Sequence, residues 1–252
     1  MIEHNSLTLA PAGMKTKAIQ SRIRGVEEKR AFYQQKRVAE AYDQQRFGGV
    51  SGARVNYREI KAVLDLLPSG GLVADIGCGT GRLSHALQER GDLVVACDAS
   101  AAMLQIAFSR GIIHPILADA FNLPLASHVY AGSVALRFAF HFENLLPLFT
   151  ELRRITRTAG FGVWDTYNWS IRAFTPLGRR FWGARVYTHT SEQVIAWAQL
   201  AGWHLVAQER AFLFSPYLYR RLPLPAVRSL ERLELVVPQR LLCRTFWKFQ
   251  AY

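Results

Sequence analysis

The sequence predicts an α/β protein built on a doubly wound, seven-stranded sheet, parallel except for an antiparallel last strand. Three observations predict it. Short apolar runs alternate with helical stretches from Leu72 to Tyr167, and such alternation requires parallel strands joined by crossover helices. A glycine-rich stretch, "VADIGCGTGRLS" (73–84), ends the first of those runs, where open sheets of this kind bind ligands. The last two apolar runs, 203–214 and 241–252, read as a hairpin split by an insert.

The elements follow in order. Residues 21–45 are polar, charged and free of proline, so a helix is predicted. "RFGGVSGA" (46–53) breaks it, and a second helix runs to Leu67 with Val63, Leu64, Leu66 and Leu67 on an apolar face, ended by "PSGG". Strands are predicted at 72–77, 93–98, 112–119, 132–139 and 160–167, with helices at 82–90, 101–110 and 144–156 between them. Segment 168–190 is aromatic and basic without a clean period. Residues 191–202 read as a helix with Ser191 as its N-cap and Gly202 at its end. Within the insert at 215–240, a helix starts at Pro225, with Val227, Leu230, Leu233 and Val237 on one face and Arg228, Glu231 and Arg232 on the other.

The chain of 252 residues fits one domain with decorations. It is 50% apolar and 20% charged, the balance of an ordinary globular protein. No window approaches ~18 consecutive apolar residues, so no transmembrane helix is expected. The opening "MIEHNSLTLAPAGMKTK" has an early glutamate and no continuous apolar core, which argues against a signal peptide. Three cysteines, Cys78, Cys97 and Cys243, point to a reducing compartment, with the cytoplasm as the default. The net charge of +12 is spread from Arg22 to Arg244 without a dense block. A solvated, arginine-rich surface accounts for it as well as nucleic acid, an anionic membrane or an anionic substrate does.

The glycine stretch decides the ligand. Asp75 precedes Gly77, Gly79 and Gly81. A carboxylate there repels a pyrophosphate and suits an ammonium group, such as that of S-adenosylmethionine, whose sulfonium adds positive charge. The spacing is not G-x-G-x-x-G, and no Lys-Ser/Thr follows, so dinucleotide and phosphate-loop readings fail. Asp98 ends the second strand, where it can accept both ribose hydroxyls; Asp119 follows the third, where it can meet an adenine amino group. Each could instead cap the following turn.

Residues 38–161 resemble a class I S-adenosylmethionine-dependent methyltransferase, and within that class the small-molecule group that includes quinone-biosynthesis C-methyltransferases. "VADIGCGTGRLS" matches the glycine motif, "VVACDAS…ML" the acidic ribose motif and "ADAFNLPL" the adenine-side motif. "ELRRITRTAGFGVWD" matches the helix and strand that flank a Pro-Gly-Gly turn, here replaced by "TAG", and "VAEAYDQQRF" matches an N-terminal segment folded over the cofactor. Ala131 stands where the family often has an acid. The resemblance implies a Rossmann-like core over 53–252, a tail and helical cap over 1–52, and inserts at 168–190 and 215–240 forming a substrate lid. It implies that Asp75, Gly77, Cys78 and Gly79 surround the methionine moiety and that Asp98 and Ala99 take the ribose. Met103, Asp119 and the Ala120 backbone would then hold the adenine, with Tyr42 and Arg46 closing the site. The implied reaction turns S-adenosylmethionine into S-adenosylhomocysteine.

The acceptor side is less constrained. Methyl transfer is an in-line displacement that needs alignment and dryness, and a base only where the acceptor loses a proton. "RFAFHFEN" follows the fourth strand and faces that space, which makes His141 the candidate base and Arg137 a partner for an acceptor anion or an orienting group at the cofactor. A histidine that only packs there is an equally good reading. Asn/Asp-Pro-Pro-aromatic and Pro-Cys signatures are missing, and Arg137 occupies the place of a magnesium carboxylate set, so a metal-independent enzyme acting on an aromatic, polyketide-like or isoprenoid small molecule is expected. The alternatives are an RNA-directed methyltransferase, supported by charge alone, and an inactive S-adenosylmethionine-binding protein. A weak peripheral membrane contact through the 215–240 insert is conceivable, weakened by Glu231 and Glu234 on its polar face. The sequence is silent on oligomeric state.

Overall fold

A computed structural model of the chain describes residues 29–169 and 186–252. Residues 29–33 are helical, and α1 (Lys36–Phe47) and α2 (Gly49–Leu66) follow. The core then runs β1 (Leu72–Ile76), α3 (Arg82–Glu89), β2 (Leu93–Asp98), α4 (Ala101–Ser109), β3 (His114–Leu117) and β4 (Tyr130–Ala135). A single 3-10 turn (Ala139–His141) leads to α5 (Leu146–Ile155) and β5 (Thr156–Tyr167). After residue 186 come α6 (Ser191–Leu200), β6 (Trp203–Ala211), α7 (Pro216–Arg221), α8 (Leu224–Glu234), a 3-10 turn (Gln239–Leu241) and β7 (Arg244–Ala251).

The seven strands form one sheet in the order β3-β2-β1-β4-β5-β7-β6. β1 to β5 are parallel neighbours, whereas β7 lies antiparallel between β5 and β6. The order reverses between β1 and β4, which opens a crevice at the carboxyl ends of those strands.

Alternation along the strands feeds two cores, because successive side chains leave a strand on opposite faces. Trp164 on β5 joins Phe149 and Leu152 of α5, Val194 and Ala198 of α6, and Trp203, Trp247 and Phe249. Its ring stacks on Phe149 at 4.3 Å and on Phe249 at 4.8 Å. Gly162 admits this cluster, since a Cβ there would meet the Trp164 ring at 2.4 Å. The neighbouring Val163 faces the other core, with Val55 and Val63 of α2, Leu83 and Leu87 of α3, Tyr219 of α7 and Val227 of α8.

Several expectations shift. Residues 29–47 do not form one helix, since the backbone turns at Gln34 and Gln35 and α1 restarts after an extended Gln35; residues 21–28 lie outside the described chain. The glycines at 46–53 interrupt helix only at Gly48, and α2 begins at Gly49 rather than near residue 53. Gly52 sits inside α2 because a Cβ there would meet the Phe47 backbone at 2.5 Å. β4 stops at Ala135, not 139, because Arg137 takes a left-handed φ of 61° and turns the chain. β5 starts earlier than expected, at Thr156, with Ala159 at φ 60° in the "TAG" turn. The N-cap of α6 is Thr190, which forms a capping box with Gln193. Of the 168–190 insert, residues 170–185 lie outside the described chain.

The 215–240 insert differs most. It forms two helices, and α8 starts at Leu224 after Pro223 rather than at Pro225. Val227 is buried as expected, but Leu233 is 42% exposed. Glu231 and Glu234, expected on the solvent face, turn inward onto α2. Arg54 binds Glu231 through two 2.9 Å hydrogen bonds, and Arg58 reaches Glu234 at 2.5 Å. Glu234 also accepts from the Phe212 amide at 3.1 Å and from the Tyr219 hydroxyl.

Candidate active site

The crevice at the β1/β4 switch holds an open cleft, about 1080 Å³ with the solvent space at its mouth included. Its floor is the loop after β1. Gly77, Gly79 and Gly81 all have left-handed φ, at 68°, 57° and 75°, a region in which residues with a Cβ are strained. A Cβ at Gly77 would also strike the Phe138 ring at 2.2 Å, so this loop presents bare backbone to whatever lies on it. The Gly77 and Cys78 amides are anchored beneath by the Cys97 carbonyl at 2.8 and 3.0 Å.

Asp98, at the end of β2, lines the cleft and fixes the loop from its side: Oδ2 accepts from the Gly79 amide and Oδ1 from the Ser100 amide, both at 2.8 Å. Burial pushes its pKa up, against these backbone donors. Ser100 caps α4 by accepting from the Met103 amide at 3.2 Å, which sets Ala99 and the buried Met103 into the wall. Asp119 and Ala120 form the far end. Asp119 accepts from the Phe121 amide at 3.0 Å and pairs with Arg30 at 2.7 Å.

Of the residues expected around the cofactor, Tyr42, Gly77, Cys78, Gly79, Asp98, Ala99, Met103, Asp119, Ala120 and Arg137 line this one cleft, together with His141. Asp75 and Arg46 do not. Asp75 is 1% exposed and lies behind the loop, accepting from the Ser84 hydroxyl at 2.5 Å. Burial, with Asp98 nearby, pushes its pKa up to about 7. Arg46 instead lines a second, smaller cavity with Arg137, Tyr167, Ser215 and Tyr217. Burial lowers its pKa, although Tyr42 opposes this.

Sequence reasoning expected a cap here but did not name three residues of it. Lys29, Arg30 and Tyr33 come down on the cleft from the short helix before α1. The Tyr33 carbonyl accepts from the Ser100 hydroxyl at 2.7 Å, and Gln34 donates to the Ala99 carbonyl at 3.2 Å. The Tyr33 ring bridges Tyr42 and His141, at 6.3 and 5.9 Å between centroids. On α1, Asp43 accepts from Thr80 at 2.7 Å and pairs with Arg110, which ties the roof to the glycine loop. No spacing rule links residues 29–33 to the motifs at 73–120; the preponderance of aromatic and basic residues in "KRAFY" was the available signal.

The segment after β4 forms the remaining wall. Arg137 holds its left-handed backbone because its amide donates to Asp165 at 2.6 Å. Its guanidinium donates to Glu59 at 2.8 Å. Arg244, fully buried, also donates to Glu59, and to Asp165 at 2.7 Å. Burial alone would raise the Glu59 pKa, but Arg137, Arg244 and Arg82 outweigh it and hold the carboxyl at about 2. His141 packs among Phe138, Phe140 and Tyr33. Burial, reinforced by Lys29, Arg137 and Arg46, holds its pKa well below the usual histidine value. Its Nδ1 is buried with no hydrogen-bond partner among the described residues.

Residues 74–163 match the family described as a methyltransferase domain, a span that runs from β1 through β5. Residues 74–163 form a methyltransferase domain. The chain is 30% identical over 159 residues to a demethylmenaquinone methyltransferase of Thermobifida fusca, covering 53% of this chain and 65% of the relative. It is 31% identical over 168 residues to a malonyl-[acyl-carrier protein] O-methyltransferase of Salmonella typhimurium, covering 63% and 62%. The chain thus spans a little under two thirds of these curated relatives. The methyltransferase fold is shared with a crystal structure of a possible histamine N-methyltransferase from Thermotoga maritima, at a TM-score of 0.62 and 18% identity, covering 86% of this chain and 98% of that one.

The residues present fit the cofactor the domain implies. A side-chain-free floor at Gly77 and Gly79, flanked by carboxylates at Asp98 and Asp119, offers backbone to a ligand's body and acceptors to its polar ends.

Proposed function

We propose that this protein transfers a methyl group from S-adenosylmethionine to a small, largely apolar acceptor by O- or C-methylation. The observation that carries the reading is the convergence of the glycine floor, Asp98, Asp119 and the Tyr33–Tyr42 roof on one cleft at the switch point of the sheet. S-adenosylmethionine, when bound, supplies the electrophilic methyl group.

The chain's own residues do the rest. Gly77 and Gly79 cradle the methionine portion, and Asp75 attracts its ammonium from one layer behind. Asp98 accepts the ribose hydroxyls with lone pairs left over from its backbone donors. Met103 packs against the adenine while Asp119 and the Ala120 backbone read its edge. Tyr33 and Tyr42 exclude water from above, which sharpens alignment in the displacement. Where the acceptor loses a proton, His141 is our candidate to take it, because its Nδ1 keeps no hydrogen-bond partner among the described residues. Arg137 positions the wall through Glu59 and Asp165.

The rings of Phe121, Phe138 and Phe142, packed edge to face at 4.9 and 5.0 Å, favour an aromatic or isoprenoid acceptor, and Lys29 and Arg137 favour one that carries an anionic group. One of the curated relatives is named for a quinone substrate, which supports the same class. We read the reaction as metal-independent because the cation Arg137 stands where a metal-binding carboxylate set would be needed. Cys78 and Cys97, which form no disulfide among the described residues, support a reducing compartment, the cytoplasm. The segments 29–52 and 215–240 act in this reading as cap and lid.

Calorimetric titration with S-adenosylmethionine, S-adenosylhomocysteine and NAD tests the reading. Both adenosyl compounds should bind and NAD should not. Asp98→Ala should weaken adenosyl binding by roughly 10- to 100-fold, the loss of charge-assisted hydrogen bonds. A folded protein that ignores the adenosyl compounds would overturn it.

A further inference from the structure

The tip of α8 and the turn after it present an apolar surface that nothing in the described chain covers. Leu235 is 86% exposed, Val236 77%, Leu241 46% and Leu233 42%. Isolated exposed apolar residues need no explanation, but three leucines and a valine within nine residues make a patch. Exposed arginines surround it: Arg232 and Arg228 lie about one and two turns back along the same side of α8, and Arg240 stands in the following 3-10 turn.

The acids of this segment face away from the patch. From residue 212 to 252 the acids are Glu231 and Glu234, and both are turned onto α2 and paired with Arg54 and Arg58. Their position on the sequence argued against a lipid surface; their observed orientation removes that objection. The outward face is therefore apolar and cationic together, on a chain with a net charge of +12. No helix among the described residues is long and apolar enough to cross a membrane.

We propose that the α8 tip docks the protein on an anionic lipid bilayer, with Leu233, Leu235, Val236 and Leu241 entering the headgroup region and Arg228, Arg232 and Arg240 meeting lipid phosphates. Apolar insertion and arginine contacts act jointly in such interfacial binding. A nucleic acid would use the arginines but leave the protruding leucines in water. The proposal does not depend on the identity of the acceptor.

Vesicle flotation at about 0.15 M salt tests it. The full chain should float with phosphatidylcholine vesicles containing about one third phosphatidylglycerol and stay behind with phosphatidylcholine alone. The pair Leu235→Glu with Val236→Glu should reduce binding by at least about tenfold, as should the pair Arg228→Glu with Arg232→Glu. Phe108→Glu, at a residue 68% exposed on α4, should float like the parent chain. All these positions are exposed, so thermal melting and S-adenosylhomocysteine binding should be unchanged. Absence of flotation, equal flotation with neutral vesicles, or full flotation of the Leu235/Val236 pair would each overturn the proposal. So would binding of bulk tRNA that the arginine pair abolishes while neither pair alters flotation.

Discussion

Asp75 sets stability against binding. Its side chain is buried behind the glycine loop with one hydroxyl partner, and its pKa is pushed up to about 7. A raised carboxyl pKa means that the folded state holds its proton where the unfolded chain, at about 3.9, has lost it. The ionisation penalty therefore grows as pH rises from about 4 to 7, is complete above 7, and amounts to about 4 kcal/mol from that difference. Asp75→Asn removes the charge and keeps the shape. Its melting temperature should exceed that of the parent chain at pH 8 and approach it at pH 5, while S-adenosylmethionine binding weakens. Equal melting curves at both pH values would show that Asp75 is not the group that ionises. Asp98 and Asp119 were legible in the sequence because a strand end fixes where a residue stands. The burial of Asp75 was not, because depth depends on what α3 packs over it, here Ser84.

At the scale of elements, α8 shows why a helical period is an incomplete guide. Its apolar residues mark an inward stripe, and Val227 follows it. The stripe cannot register that Arg54 and Arg58 stand on the facing turns of α2. Those cations draw Glu231 and Glu234 inward and leave Leu233 outside. The two acids should differ in worth. Glu234 is buried and holds Arg58, the Phe212 amide and the Tyr219 hydroxyl, so Glu234→Ala should cost about 3 kcal/mol by stranding them. Glu231 makes an ion pair with a half-exposed Arg54, so Glu231→Ala should cost about 1 kcal/mol or less. Urea denaturation of the two variants separates these outcomes.

For the whole molecule, seven strands and their helices were readable because each parallel strand is a short apolar run between turn signals. The glycine loop and its aspartates were readable for the same reason, since the switch point follows from the strand order. Lys29, Arg30 and Tyr33 were not: they reach the cleft through contacts of a short helix with Ser100 and Asp119, a long-range outcome that carries no local period. Nor was the buried charge network, in which Glu59 of α2 gathers Arg137 from beyond β4 and Arg244 from β7. That network joins the sheet to the helix beneath the cap. Glu59→Gln leaves two buried guanidinium groups short of an anion and should cost about 3–5 kcal/mol, read as a lower urea midpoint with an unchanged slope.

The place of β7 has a consequence for the order in which the protein is made. The strands β3, β2, β1 and β4 can pair as soon as residues up to 135 have emerged. β5 then adds to them, but β6 cannot join: its sole neighbour is β7, which is synthesised after it. Asp165 likewise waits, a buried carboxylate without its arginine, until Arg244 arrives, while Glu59 already holds Arg137. A nascent chain therefore carries β5 as an open edge until β7 has emerged, and the sheet closes when residues 244–251 enter between β5 and β6.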